Sequence, residues 1–232
     1  SRMRWAAAAA VLAAALLWLP EALVRTAARI VPDALRAQIG ADLYAEITQR
    51  TGNECAFDAG QEALDRLVAG LDPQGPKSAV VLPSGPAGAW HLPGGRVLLS
   101  RSFVEDHESP FVPAGALLTE ADRSARTDPL IPLLRHLGLV PTVRLMTSGT
   151  LPESGLGAYA EELLTQSPGA VDHDSLGARF RAAGVPTAPY AYAMDITGDT
   201  TLRLIEAGSA TVSQTALLSD DQWVALQSIC FD

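Results

Sequence analysis

The histidines, cysteines and serines of this sequence are the side chains from which a metal site or a nucleophile would be built. None of the four histidines has a second histidine four residues away, the spacing that places two imidazoles on one helix face. Those histidines are His91, His107, His136 and His173. Two cysteines are too few for a zinc finger or an iron–sulfur cluster. The serines lack the G-x-S-x-G nucleophile elbow, and the sequence has neither a phosphate loop nor a dinucleotide fingerprint. Spacing alone therefore predicts no catalytic set.

Three segments carry a more specific pattern, in a fixed order. Residues 89–97 read Ala-Trp-His-Leu-Pro-Gly-Gly-Arg-Val, residues 114–123 read Ala-Gly-Ala-Leu-Leu-Thr-Glu-Ala-Asp-Arg, and residues 181–186 read Arg-Ala-Ala-Gly-Val-Pro. They resemble the N-A-x-x-x-P-G-G strand entry, the A-G-V-L-A-H-E-x-x-H helix and the segment after the third metal ligand of membrane-associated zinc metallopeptidases of the HtpX and CAAX-prenyl-endopeptidase type. The resemblance covers about residues 40–232. It implies an α+β, zincin-like metallopeptidase fold, mostly helical with one small sheet.

The departures from that pattern fall on the metal ligands. In H-E-x-x-H the two histidines bind zinc and the glutamate acts as general base. Here Thr119 and Arg123 occupy the histidine positions, and only Glu120 matches. Threonine is a poor zinc ligand, and arginine does not deprotonate to become one. The family's third ligand is a glutamate, and residues 169–171 contain none. The resemblance therefore implies a degenerate member with no metal, no cofactor and no hydrolysis by this mechanism.

Glu120 and Arg123 lie three residues apart on the predicted helix, which is within reach of a salt bridge. Because the family directs this helix face towards its cleft, we expect a buried guanidinium that supplies the charge a zinc ion would otherwise supply. The alternative is a pair of exposed charges on a surface helix, which contributes little to stability.

The resemblance also implies a strand that could pair with an extended peptide. The residues of this predicted strand are Pro93, Gly94, Gly95, Arg96 and Val97. A peptide would add to its edge through backbone hydrogen bonds.

The elements that position these segments follow from periodicity and from helix-breaking residues. We predict two helices within residues 41–70, separated at Thr51-Gly52-Asn53; short strands at residues 79–82 and 96–100; and helices at residues 114–126, 130–139, 153–164, 175–183 and 220–229. Residues 83–95 are predicted to be a loop, and residues 200–213 are ambiguous.

The first twenty residues predict an N-terminal transmembrane helix. Residues 5–20 contain no charge, Trp5 and Trp18 flank the apolar run as interface residues do, and Arg2 and Arg4 precede it. The positive-inside rule then predicts a single-pass protein of a bacterial inner membrane, with a cytoplasmic N-terminus and a periplasmic main domain. The alternative is a cleavable signal peptide, although no small-x-small site follows Pro20.

Residues 21–40 predict an amphipathic juxtamembrane segment whose apolar face carries Leu23, Ala27, Ile30 and Val31. This segment would lie on the bilayer surface or, alternatively, pack on its own domain. The predicted organisation is thus an anchor (1–20), this segment (21–40) and a degenerate peptidase-like periplasmic domain (41–232).

Cys55 and Cys230 are natural disulfide partners if the domain lies in an oxidising compartment. The alternative is two buried free thiols.

A net charge of −9 without a basic cluster argues against nucleic-acid binding. The favoured function is a membrane-anchored pseudo-metallopeptidase that serves as an accessory, scaffolding or assembly subunit of an integral membrane complex, in contact with the lipid bilayer. The alternatives are a periplasmic chaperone-like protein that binds peptides and an active zinc peptidase with a misaligned metal site.

Overall fold

The computed structural model describes residues 18–71, 75–166, 169–208 and 217–231. Helices make up most of this part of the chain. In sequence order they are α1 (residues 18–30), α2 (Asp33–Thr51), α3 (Asp58–Leu71), α4 (Ser102–Glu105), α5 (Phe111–Arg126), α6 (Leu130–Leu137), α7 (Leu139–Ser148), α8 (Glu153–Thr165), α9 (His173–Ala183), α10 (Ala188–Met194), α11 (Leu202–Glu206) and α12 (Asp220–Gln227). The strands are β1 (Ser78–Leu82), β2 (Ala89–His91) and β3 (Arg96–Ser100).

The three strands form one sheet in the order β1-β3-β2. β1 runs parallel to β3 and β2 runs antiparallel to it. The prediction that the strand beginning at Arg96 offers a free edge is wrong, because Val97 and its neighbours in β3 pair with strands on both sides. The segment Pro93-Gly94-Gly95 is the turn that leads into this central strand, and the edge beside the candidate site belongs to β2.

Apolar side chains form two clusters on the sheet. Residues alternate across a strand, so β3 sends Val97 and Leu99 into one cluster and Leu98 into the other. The first cluster is completed mainly by α3, α5, α9 and α12, and the second by α1, α2, α6 and α8. The sheet is thus covered by helices and holds β2 beside α5.

Within the described residues, no helix is both long enough and apolar enough to cross a bilayer. This finding contradicts the predicted transmembrane helix and the predicted single-pass location in an inner membrane. α1 stops at residue 30, before Pro32, and it buries Val24, Ala27 and Ala28 in the second cluster. Most of the predicted anchor, including Trp5, lies outside the described residues, while Trp18 is 80% exposed.

The juxtamembrane segment packs on its own domain, which was the alternative to lying on a bilayer. Its buried face agrees with the predicted one in part: Ala27 and Val31 are buried, but Ile30 is 56% exposed and Val24 is buried instead. α2 continues across residue 40 without a break, and Ile39 and Leu43 share the cluster of α1.

Cys55 and Cys230 form a disulfide, as predicted. The bond fastens the segment after α12 to residues beside β1, where Cys55 forms an isolated bridge with Val81. Of the predicted elements, the break after α2, strands β1 and β3, and α5, α8 and α9 are present within a few residues. β2 was expected to be loop, and residues 209–213 of the ambiguous segment lie outside the described residues.

Candidate functional site

α5 is the element that positions the candidate site residues. Every residue from Phe111 to Asp122 is buried, so this helix is part of the core rather than a surface helix. Gly115 allows the close approach of α10, because a Cβ there would lie 2.5 Å from Cβ of Tyr190. Thr119 donates its hydroxyl to the carbonyl of Gly115, one turn earlier, at 2.8 Å. The threonine is thus satisfied by its own helix.

Both carboxylate oxygens of Glu120 accept hydrogen bonds. Arg123 Nη1 donates to Oε1, and the backbone N–H of His91 donates to Oε2 at 3.1 Å. The Glu120 side chain is 6% exposed. Burial raises the pKa of Glu120, and the Arg123 guanidinium and the His91 N–H oppose that rise. The carboxylate is therefore held by two fixed donors, one of which is a permanently charged guanidinium.

His91 contributes its ring as well as its backbone. Nδ1 lies 3.2 Å from the carbonyl oxygen of Glu120, and because a carbonyl only accepts, Nδ1 carries the proton. Burial lowers the pKa of His91. A neutral ring with a proton on Nδ1 leaves Nε2 as an acceptor.

Arg123 connects α5 to the segment that precedes α9. Its Nη2 donates to the carbonyl of Gly169 at 2.7 Å, while Nη1 holds Glu120. Its Nε is buried without a hydrogen-bond partner in the described part of the chain. The structure thus brings Glu120, residues 169–171 and β2 together around the guanidinium of Arg123.

A second set of polar contacts fastens α5 to α9. Arg126 Nη2 donates to Asp122 Oδ2, and Ser175 Oγ donates to Asp122 Oδ1 at 3.2 Å. Asp172 accepts from the backbone N–H of Asp174 at 3.1 Å and thereby caps α9. The carboxylates of Asp122 and Asp172 are thus engaged in structural contacts. Within the described residues, no group of three or more His, Cys, Asp or Glu side chains could hold a metal ion.

A groove passes over the Glu120–Arg123 pair. Its centre is a cavity of about 380 Å³, whose lining includes Trp90, Tyr159 and Ala170. Neighbouring cavities of about 460 Å³ and 400 Å³ share lining residues with the central one. The first shares Trp90 and Tyr159, and the second shares His91. Together the three cavities lie beside β2, and the one of about 400 Å³ continues past His91 into the turn before β3.

β2 presents part of its backbone to this groove. Gly88 O accepts from Ser100 N at 2.9 Å, and Leu92 N donates to Arg96 O at 2.8 Å, so these flanking residues face β3. Because alternate residues of an antiparallel strand face opposite sides, the N–H and C=O groups of Ala89 and His91 face away from β3. The N–H of His91 is already taken by Glu120. The backbone groups of Ala89 and the carbonyl of His91 thus face the side of β2 that lies opposite β3, where Ala89 and His91 line the central cavity.

The neighbouring cavity of about 460 Å³ contains a histidine–glutamate pair that the sequence analysis did not predict. His136 Nδ1 contacts Glu162 Oε2, and the His136 ring lies 5.3 Å from that of Tyr159. The two partners are separated by 26 residues in sequence and lie on different helices, α6 and α8. No local spacing could have indicated this pair.

Neither the protein-family models nor the curated proteins include a match to this sequence.

Proposed function

We propose that this protein is a catalytically inactive, metallopeptidase-like protein whose groove binds an extended segment of a partner protein without cleaving it. It acts as an accessory subunit rather than as an enzyme. The observation that carries the proposal is the engagement of Glu120, because both oxygens of the one residue that matches the family's catalytic set are bonded to fixed donors.

The position of Arg123 supports the resemblance on which this proposal rests. In the family, the second histidine and the third-ligand segment meet at the metal. Here Arg123 occupies the histidine position, and its guanidinium bonds to the carbonyl of Gly169, at the start of the segment where the third ligand was expected. An arginine is permanently cationic and supplies a charge at this point without any metal chemistry.

The groove supports the binding role. Ligand sites are concave and mostly apolar, with a few polar groups that fix orientation. The central cavity has aromatic walls from Trp90 and Tyr159, and it is also lined by Ala89, whose backbone groups face away from β3. An added strand pairs through such backbone groups, so an extended polypeptide suits the groove better than a compact metabolite does.

An exposed apolar face on α7 favours a stable partner over a passing peptide. Val140 is 80% exposed, and Leu139, Val143 and Met146 are each more than a third exposed. Contiguous exposed apolar surface of this kind is typical of protein–protein contacts. The identity of that partner as an integral membrane complex stays a prediction.

A groove-filling substitution tests the function. Ala170 is exposed and lines the central cavity, so Ala170→Trp should fill the groove without disturbing the core. Ala178 is exposed on α9, away from the groove, and Ala178→Trp is the matched control. Affinity purification from native cells should recover a partner in fixed stoichiometry with the wild type and with Ala178→Trp, but not with Ala170→Trp.

Two results would oppose this proposal. Recovery of the same partner with Ala170→Trp would show that the groove is not the binding surface. Recovery of a heterogeneous mixture of peptides in place of one partner would favour the chaperone-like alternative.

A further inference from the structure

The cavity of about 400 Å³ at the end of the groove has a different character from the centre. It lies where β2 leads into the turn before β3, and it shares His91 and Ser124 with the lining of the central cavity. A polypeptide that lies in the groove and extends past His91 would reach this cavity. Its remaining walls come from the end of α1, the start of α2 and the residue before β1.

Three cations line this cavity, and one of them is fully engaged. Arg36 Nη1 donates to Asp128 Oδ2 at 2.6 Å, Nε donates to the carbonyl of Val31 at 3.2 Å, and Nη2 donates to the carbonyl of Ala28. These contacts close the C-terminal end of α1 and neutralise Asp128. Arg36 therefore has a structural role and is not available for a ligand.

The other two cations, Arg29 and Lys77, are exposed. In the part of the chain that the structure describes, no carboxylate lies within ion-pair distance of either one. Asp33 is the remaining carboxylate of the cavity wall. Arg36 and Asp128 neutralise each other. Arg29 and Lys77 carry two positive charges and Asp33 carries one negative charge, so the cavity wall has a net positive charge. The whole protein, by contrast, has a net charge of −9.

Lys77, the sole lysine of the sequence, is held at the cavity by the backbone. Its N–H donates to the carbonyl of Gly95 at 2.8 Å. Its side chain crosses the bare face of that glycine, because a Cβ on Gly95 would lie 3.0 Å from Lys77 Cγ. The stem is thus positioned by packing while the ammonium stays in solvent.

We propose that this cavity binds a carboxylate of the polypeptide that occupies the groove, so that the protein selects segments with an acidic end. The inference rests on the proposed function and adds the chemistry of the partner. The carboxylate belongs either to aspartate or glutamate side chains or to the C-terminus of the bound polypeptide, and both would be held by Arg29 and Lys77.

Fluorescence anisotropy with labelled decapeptides tests the proposal. The peptides share a Thr/Val body and end in Asp-Asp with a free carboxylate, in Asp-Asp with an amidated C-terminus, in Asn-Asn with a free carboxylate, or in Asn-Asn with an amidated C-terminus. Arg29→Gln/Lys77→Gln removes the two cations. The matched control, Arg66→Gln/Arg203→Gln, removes two exposed arginines outside the groove, one on α3 and one on α11.

The wild type should bind the acidic peptides about three- to tenfold more tightly than the amidated Asn-Asn peptide, the range expected for two exposed ion pairs. This preference should weaken with added NaCl and disappear in Arg29→Gln/Lys77→Gln, while binding of the amidated Asn-Asn peptide is unchanged. A preference that requires only the free C-terminus identifies the terminal carboxylate, and one that persists after amidation identifies the side chains.

A preference that survives Arg29→Gln/Lys77→Gln, or that the control variant also removes, would overturn this inference and leave the groove itself intact. Failure of the wild type to bind any of the peptides would instead overturn the proposed function together with this inference.

Discussion

Arg123→Leu should leave the Glu120 carboxylate buried without its counter-charge. The Glu120 side chain is 6% exposed and would keep only the His91 N–H as a donor. Removing one partner of a buried ion pair costs about 3–5 kcal/mol. Arg123 is 28% exposed, so solvent already screens part of the attraction. We therefore expect a loss of about 2–3 kcal/mol in the free energy of unfolding at pH 7.

This loss should depend on pH in a defined direction. Burial already raises the pKa of Glu120 above its ordinary value of 4.5, and loss of the guanidinium raises it further. Between the unfolded and the folded pKa, the folded state binds more protons than the unfolded state, so stability falls as pH rises. The penalty of Arg123→Leu should therefore be small near pH 4.5 and grow towards pH 7.

Urea unfolding, followed by tryptophan fluorescence with the disulfide intact, measures these differences. Glu120→Gln is the matched background, because glutamine keeps the acceptor for His91 but carries no charge. In that background Arg123→Leu should cost less than it does in the wild type, with no pH dependence from this site. An equal cost in both backgrounds, or a pH-independent cost in the wild type, would refute the account of Arg123 as the counter-charge.

Two further predictions concern the scaffold of the site. Replacing both Cys55 and Cys230 by serine should lower the free energy of unfolding by about 3–5 kcal/mol, because the disulfide closes a loop over a sequence separation of 175. A loss below about 1 kcal/mol, measured by urea unfolding, would contradict this prediction. Gly40→Ala should destabilise the protein, because the new Cβ would lie 1.9 Å from the carbonyl oxygen of Pro93, in the turn beside the groove. The control Gly70→Ala meets nothing within 4 Å and should instead stabilise α3 by about 0.5–1 kcal/mol, so equal effects of the two alanines would contradict the packing of α2 on that turn.

Local sequence signals located the C-terminal ends of α2 and α9 correctly because a single glycine marks each of them. Gly52, with a φ of +86°, ends α2 where a break was predicted, and Gly184 ends α9 in the left-handed conformation. β2 was missed because its three residues, between Gly88 and Pro93, show no strand period and are extended only by pairing with β3.

The buried face of this segment was predicted only in part. Ala27 and Val31 are buried as predicted, but Ile30 is 56% exposed, and Val24 and Ala28 are buried instead. Periodicity within the helix indicated the approximate face, and packing against the other elements decided which neighbouring side chains are buried.

The candidate site was partly predictable. The pairing of Glu120 with Arg123 follows from their spacing and is present, but only the glutamate is buried, since the Arg123 side chain is 28% exposed. Two features depend on tertiary structure alone: the bond from Arg123 to Gly169, across 46 residues, and the contact of Glu120 with the backbone of His91. The edge beside the site could not be assigned from Arg96, because strand order is set by the β1–β3 pairing.

Incubation of the purified protein with a groove-binding peptide, in zinc and in EDTA, tests the central claim most directly. Intact-mass spectrometry and anisotropy are read on the same samples, together with the zinc content of the protein. The account predicts binding of equal affinity in both conditions, a peptide of unchanged mass and no stoichiometric zinc. Peptide fragments that form with zinc and disappear with EDTA, with about one zinc ion per protein molecule, would show that Glu120 works as the base of a metallopeptidase and would contradict the account.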